Sequence, residues 1–340
     1  MTEPTRITTA LCGNQPWQLD RVFAMGRRAQ LASLVGETSL LPGHITSADL
    51  PRLAPRLQDV EVLFSTWGMD ENLARGLEAL PKLKAFFYAA GSVRHFAGPL
   101  LDRNIVLVSA WAANAVPVAQ FTLAQILLSL KGYFRNVREA RLPANRGRAQ
   151  ETSATGAFAE TVALLGCGMV GKRVAEMLRP FGLDVAVYDP FLTAESAAEL
   201  GVRKVDLEEA FTGAMVVSNH LADLPPTRGL LGRNLFATLR PGATFINTGR
   251  GATVREEELA GVLQSRPDLT ALLDVTFPEP PAADSVWYAL ENVHLSTHIA
   301  GSNGNEVVRM ADYCLEEFRA WREGRTLKYR VTPEMLENMA

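Results

Sequence analysis

Short apolar runs alternate with longer amphipathic stretches along the whole chain. In the first third, residues 7–12, 61–66, 83–89 and 105–109 are compact runs rich in β-branched or aromatic side chains, which predicts strands. Between them, residues 18–34 and 70–79 repeat apolar positions at helical spacing, and residues 116–138 do so over a longer stretch. Residues 141–159 turn small, polar and charged around Pro143, Asn145 and Gly147, the composition of an exposed loop or arm. From Thr161 the alternation resumes, with strands expected at 161–165, 184–189, 214–219, 243–247, 270–274 and 293–296 and a closing helix over 305–323. Short, nearly continuous apolar strands separated by helical segments predict parallel sheets covered on both faces, an α/β, doubly wound chain.

Length and charge narrow the picture. The 340 residues suit two domains rather than one core. A net charge of −3 offers no electrostatic footprint for nucleic acid or an anionic membrane, so neither is expected as a partner. Cys12, Cys167 and Cys314 are far apart and form no CxxC pair, which argues against a disulfide framework or a metal site. The N-terminus is polar, and no apolar run approaches the ~20 residues needed to cross a bilayer. Cytoplasmic residence is the resulting expectation.

The first chemistry-bearing motif is Gly166-Cys167-Gly168-Met169-Val170-Gly171, a GxGxxG match. With 26 glycines in the chain a chance match is easy, so its context decides. It follows the apolar strand VALL and opens a helical run from Lys172. In such a loop the first glycine allows the tight turn, the second lets a pyrophosphate approach the backbone, and the third allows close helix–strand packing. Free N–H groups at the helix start then meet the phosphate oxygens. Asp189 ends the next strand, where a carboxylate would accept from a ribose 2′-hydroxyl; no Arg or Lys follows it closely to hold a 2′-phosphate. The expected cofactor is therefore NAD rather than NADP.

Three more segments put ionisable groups just past apolar strands: FINTGRG with Arg250, LLDVTFPEP with Asp274 and Glu279, and HLSTHIAG with His298. Each alone could be a solvated loop residue. Together, behind a dinucleotide fingerprint, they have compatible tasks. Reducing a keto acid with a nicotinamide requires the anion held, the carbonyl polarised and a proton supplied. Arg250 is a planar, permanently charged donor for carboxylate and carbonyl oxygens. His298 is a proton donor, since an imidazole exchanges protons near neutral pH, and Glu279 on its other ring nitrogen would favour the imidazolium. Asp274 reads as a contact on the nicotinamide side.

These residues resemble the D-isomer-specific 2-hydroxyacid dehydrogenases. Asn114 with Val118-Ala119, the segment VALLGCGMVGKRVAEMLRPFGLDVAVYDP, His220 with Thr227-Arg228-Gly229, and NTGRG, DVTFPEP and THIAG carry the likeness in register over about two-thirds of the chain. The resemblance implies Arg250, Glu279 and His298 as the catalytic three. It also implies a cofactor set of Gly166, Gly168, Met169, Val170, Gly171, Asp189, His220, Thr248, Gly249 and Asp274. Gly91 and Ser92, in AGSV, would join Arg250 in binding the substrate carboxylate through backbone N–H groups. No metal is expected. The implied architecture is a Rossmann cofactor domain over residues 112–299, inserted in a flavodoxin-like substrate domain formed by residues 1–111 and 300–340, with the active site in the cleft. It implies a homodimer paired through cofactor domains, the 141–159 arm taking part.

There are departures from the family pattern. Gln120-Phe121 stands where Glu-His is common, Gly249 replaces Ala before the arginine, Thr297 replaces Pro before the histidine, and Ala222-Asp223 follows His220-Leu221 where Pro is usual. Trp67, Arg94, Trp111 and Trp287 are candidates to shape the substrate pocket, with packing or a solvated loop as their ordinary alternatives. With only a short stretch after THIAG, no added regulatory domain is expected. The resulting expectation is hydride transfer between NAD(H) and a small 2-hydroxy or 2-keto acid. A formate-oxidising relative would carry Gln in place of Glu279. A nicotinamide-sensing binding or scaffold protein of the same fold, with little turnover, is the alternative from another class.

Overall fold

The computed structural model describes residues 6–145 and 155–338. The centre of the expected 141–159 arm therefore lies outside the described residues. The chain divides into two compact units, one of residues up to Asn114 together with those from Ser302 onward, the other Ala115–Gly301.

In the first unit, β1 (Thr9–Leu11), β2 (Val62–Ser65), β3 (Ala85–Tyr88) and β4 (Val106–Ser109) form a parallel sheet in that order. On the free side of β1, Leu40 and Ile45 add parallel bridges, with Ile45 N donating to Leu11 O at 2.9 Å. Counting that segment as the second strand gives the flavodoxin-like order 2-1-3-4-5. Phe64 and Phe87 stack at 5.0 Å between centroids, and Phe318 of helix Val308–Arg322 meets both edge-on. The expected helix over 18–34 is broken into Pro16–Val22 and Arg27–Val35, because Met25 and Gly26 both take positive φ (51° and 84°).

In the second unit, β5 (Thr161–Leu165), β6 (Asp184–Tyr188), β7 (Arg203–Lys204), β8 (Val216–Asn219), β9 (Thr244–Asn247), β10 (Thr270–Leu273) and β11 (Val293–Leu295) form a parallel sheet ordered β11-β10-β9-β8-β5-β6-β7. Strand side chains alternate between faces. Val162, Leu164, Val216, Ile246 and Leu272 enter one core, and Ala163, Leu165, Val217, Phe245, Ala271 and Leu273 the other. That is why these strands read as unbroken apolar runs. The order reverses between β5 and β8, the switch point at which open α/β sheets bind ligands beyond the carboxyl ends of their strands.

One expectation needs correcting. Helix Trp111–Leu130 has 20 residues, mean hydropathy 1.4 and no charged side chain, so by length and composition it could cross a membrane. Its alanines, with Asn114, Gln120 and Gln125 among them, dilute the pattern without lowering the mean enough. Its apolar positions are used for packing: Ala113 joins the first unit's core, and Ala119, Ile126 and Leu130 join the second's beside Val162 and Leu164. It ends at Leu130, and Gly132, where φ is 65°, starts a separate helix Tyr133–Ala140, so the expected single helix to Arg138 is two.

Candidate functional site

The glycine loop closes β5 onto helix Met169–Leu178. Gly166 has φ +96°, and a Cβ there would lie 3.0 Å from His220 O. A Cβ on Gly171 would lie 2.0 Å from Gly166 O, so the helix can approach the strand only with glycine at that position. Around Gly168 there is nothing within 4 Å, and it caps the helix without a side-chain partner. Two glycines thus serve packing and the middle one opens the backbone at a helix N-terminus, the surface a pyrophosphate requires. Met169 is exposed and Val170 packs partly against the core. Asp189, past β6, accepts from Cys167 N at 2.6 Å with Oδ2 and from Phe191 N at 2.7 Å with Oδ1. Each oxygen keeps acceptor capacity for a ribose hydroxyl. Lys204 on β7 donates to Leu192 O at 2.6 Å.

His220 follows β8 across the switch point. Its Nε2 lies 3.0 Å from Ser218 Oγ and its Nδ1 3.5 Å from Thr248 Oγ1, which is 3.0 Å from Thr122 Oγ1. Burial lowers its pKa from 6.5 to about 4, so the ring is neutral at neutral pH. The unfolded chain then binds more protons than the folded one as pH falls below 6.5, and stability is lost on acidification. Between pH 7.5 and 5 this one group is expected to cost about 1–2 kcal/mol. His220→Asn should show a correspondingly smaller fall in urea midpoint over that range; an equal fall in both proteins would contradict the assignment.

Arg250 follows β9 in an extended conformation, its Nη1 donating to Gly249 O at 2.8 Å. Burial pulls its pKa below the ordinary guanidinium value, while the charges of Asp223 and Glu279 act the other way. Gly249 has a reason to lack a side chain, since a Cβ would come 3.1 Å from Asn219 O and 3.2 Å from Leu221 O. A Cβ on Gly251 would sit 2.1 Å from the Thr276 carbonyl carbon, so the arginine loop packs directly on the loop carrying Glu279. Asp223 is taken up in a two-point ion pair with Arg228, at 2.6 and 3.1 Å.

Past β11, His298 Nδ1 lies 2.6 Å from Glu279 Oε1, leaving Nε2 as the nitrogen able to pass a proton to a ligand. His298 has φ 55°, a left-handed conformation that costs a non-glycine residue roughly 1–2 kcal/mol. Asp274 holds it there. The Asp274 carbonyl accepts from His298 N at 2.9 Å, and its carboxylate, only 2% exposed, accepts from Ile299 N and Ala300 N at 2.9 Å and from Ser296 Oγ at 2.6 Å. The carboxylate expected to face a nicotinamide thus also bonds the histidine turn, through three of the roughly four acceptor sites its two oxygens offer. Glu256, in the first turn of helix Glu256–Ser265, accepts from Phe277 N at 2.8 Å and Trp287 Nε1 at 3.0 Å and so anchors the segment before Glu279. Sequence reasoning missed Glu256 and Ser296; Glu256 belongs to no motif, Ser296 stands in HLSTHIAG without drawing notice, and their roles come from partners distant in the chain.

Of the pocket candidates, Trp287 is buried and bound to Glu256, and Trp111 packs edge-on against Tyr329 at 5.8 Å. Trp67 packs partly against the first unit's core and Arg94 is exposed. Gly91 and Ser92 lie in the first unit past β3, where Ser109 Oγ donates to Ala90 O at 3.1 Å and to Gly91 O, pinning the loop's carbonyls.

Residues 124–300 match the family model described as D-isomer specific 2-hydroxyacid dehydrogenase, NAD binding domain. The D-3-phosphoglycerate dehydrogenase of Mycobacterium leprae is 30% identical over 247 residues, 72% of this chain and 46% of that protein. The enzyme of the same name from Methanocaldococcus jannaschii is 27% identical over 288 residues, 83% of this chain and 53% of that one. The chain thus spans about half the length of the curated relatives it matches. Among solved structures, a phosphoglycerate oxidoreductase from Rhizobium etli superposes with a TM-score of 0.78 at 22% identity, covering 97% of this chain and 100% of that one. The holo D-mandelate dehydrogenase of Rhodotorula graminis gives 0.77 at 21%, covering 96% and 98%. At these identities the two superpositions speak for the fold.

Proposed function

Because the chain belongs to the D-isomer-specific 2-hydroxyacid dehydrogenase family, we propose that it transfers hydride between NAD(H) and a small 2-hydroxy or 2-keto acid. The observation that carries this is the His298–Glu279 pair at 2.6 Å, with Arg250 within electrostatic reach of Glu279, all at the carboxyl edge of the sheet that bears the glycine loop. Unit Ala115–Gly301 is the cofactor domain and the other unit the substrate domain. A dinucleotide would be held by the open backbone at Gly168, the first helical turn beyond it and the Asp189 carboxylate. When bound it supplies the hydride. The carboxylate at Asp189 favours NAD, since a 2′-phosphate would meet a like charge there.

Arg250 binds the carboxylate and carbonyl oxygens of the acid, and as a fixed cation it is in place before charge develops on the carbonyl. His298 donates a proton from Nε2 to the forming alkoxide and takes it back in oxidation, while Glu279 orients the ring and stabilises its cation. Gly91 and Ser92 offer backbone N–H groups to the carboxylate. The protein works as a homodimer in the cytoplasm. Free Cys12, Cys167 and Cys314 suit a reducing compartment, and the exposed Leu128, Tyr133, Val137 and Leu142 suit pairing with a second copy.

The test is NADH oxidation across 2-keto acids of graded size, with NADPH as control. Turnover of at least one acid is expected, and Arg250→Ala should lower its kcat/KM on the order of 10²–10³-fold while NADH affinity holds. Turnover of none would replace this reading with that of a nicotinamide-binding protein without catalysis.

A further inference from the structure

We propose that Asn219 is a positioning residue for Arg250 and so sets how tightly the keto-acid carboxylate is held, an inference that rests on the reading of Arg250 above. Asn219 is the last residue of β8 and pairs in register with Asn247, the last residue of β9. Both side chains are buried, at 0% and 1% exposure, as is Thr253. Asn219 Nδ2 donates one hydrogen to Asn247 Oδ1 at 3.0 Å and the other to Thr253 Oγ1 at 2.9 Å, and its Oδ1 accepts from Leu221 N at 3.2 Å.

These bonds fix the direction of the next ones. With Asn247 Oδ1 occupied by Asn219 and by Gly249 N at 3.1 Å, the Asn247 amide turns its nitrogen toward Arg250 O, at 3.3 Å. With Thr253 Oγ1 accepting from Asn219, its own hydrogen is free to go to the same carbonyl, at 2.8 Å. Thr253 N also donates to that carbonyl, at 3.3 Å, but both side-chain donors on it are oriented by one amide that makes no hydrogen bond to Arg250 and touches no reacting atom. In a buried network every member's direction depends on its neighbours. Without Asn219, the Asn247 amide can flip and the Thr253 hydroxyl can rotate, freeing the arginine loop to shift.

Asn219→Leu replaces the amide with an apolar group of similar size. The measurements are KM and kcat for the 2-keto acid that wild type reduces fastest, with the NADH Kd from fluorescence. KM is expected to rise about tenfold, with a smaller fall in kcat and NADH Kd within about twofold, since a small displacement of a binding group costs far more than its distance suggests. In an Arg250→Ala background the same substitution should change KM no further, because the two act through one group. Should the leucine variant fail to fold, Asn219→Ser keeps a short polar group there, and the same KM shift and the same loss of effect without Arg250 are expected. An unchanged KM, or an equal added loss in the Arg250→Ala background, would overturn the proposal. A wild type that reduces no 2-keto acid would overturn both this inference and the reading it rests on.

Discussion

Replacing His298 with glutamine is expected to lower kcat for keto-acid reduction by roughly 10²–10⁴-fold, the range in which a positioned general acid contributes. The side chain stands in a 2.6 Å hydrogen bond to Glu279 and is half-exposed, so its loss removes a proton donor without opening a core. NADH affinity should stay within about threefold, because the glycine loop and Asp189 belong to other strand ends of the sheet. Stopped-flow NADH oxidation under single-turnover conditions reads the chemical step directly. A rate within fivefold of wild type would show that another group delivers the proton. His298→Gly adds a second signature. It should be as inactive, yet more stable by about 1 kcal/mol, since glycine meets no penalty at φ 55°. Activity and stability would then part at one residue, as expected where a functional side chain is held in a strained backbone.

What could be read from the sequence was whatever lies next to an apolar run. In a parallel sheet the functional loops leave the carboxyl ends of the strands, so Gly166, Asp189, His220, Arg250, Glu279 and His298 each follow a hydrophobic segment that announces them. Elements with weak or mixed patterns were not legible. The segment pairing with β1 does so through Leu40 and Ile45 within a polar stretch, and β7 is the two charged residues Arg203 and Lys204 at a sheet edge. The breaks at Met25-Gly26 and Gly132 depend on local backbone conformations that an amphipathic pattern runs straight across. The roles of Asn219, Glu256 and Ser296 are set by hydrogen-bond partners far away in the chain, a kind of information that no local motif contains.

Asp274 is expected from its motif on the nicotinamide side and also bonds the histidine turn, and its substitution should show which role is the larger. Two backbone N–H groups and a serine hydroxyl converge on a carboxylate that is 2% exposed, and its own carbonyl holds His298 N. Bonds to a buried charge are the strong ones, and removing their acceptor leaves three donors without a partner. Asp274→Ala is therefore expected to cost about 3–5 kcal/mol in stability. Asp274→Asn should keep the fold but place an amide N–H against Ile299 N or Ala300 N, because only one oxygen remains to accept. The turn would then relax, carrying His298 away from Glu279 and lowering kcat on the order of 10²-fold with NADH Kd little changed. If Asp274 instead served chiefly as a contact to the nicotinamide, the asparagine variant would weaken NADH binding by at least tenfold and leave the single-turnover rate at saturating NADH near wild type. The ratio of those two effects, measured on one protein, decides between a residue that grips the cofactor and one that holds the acid in place.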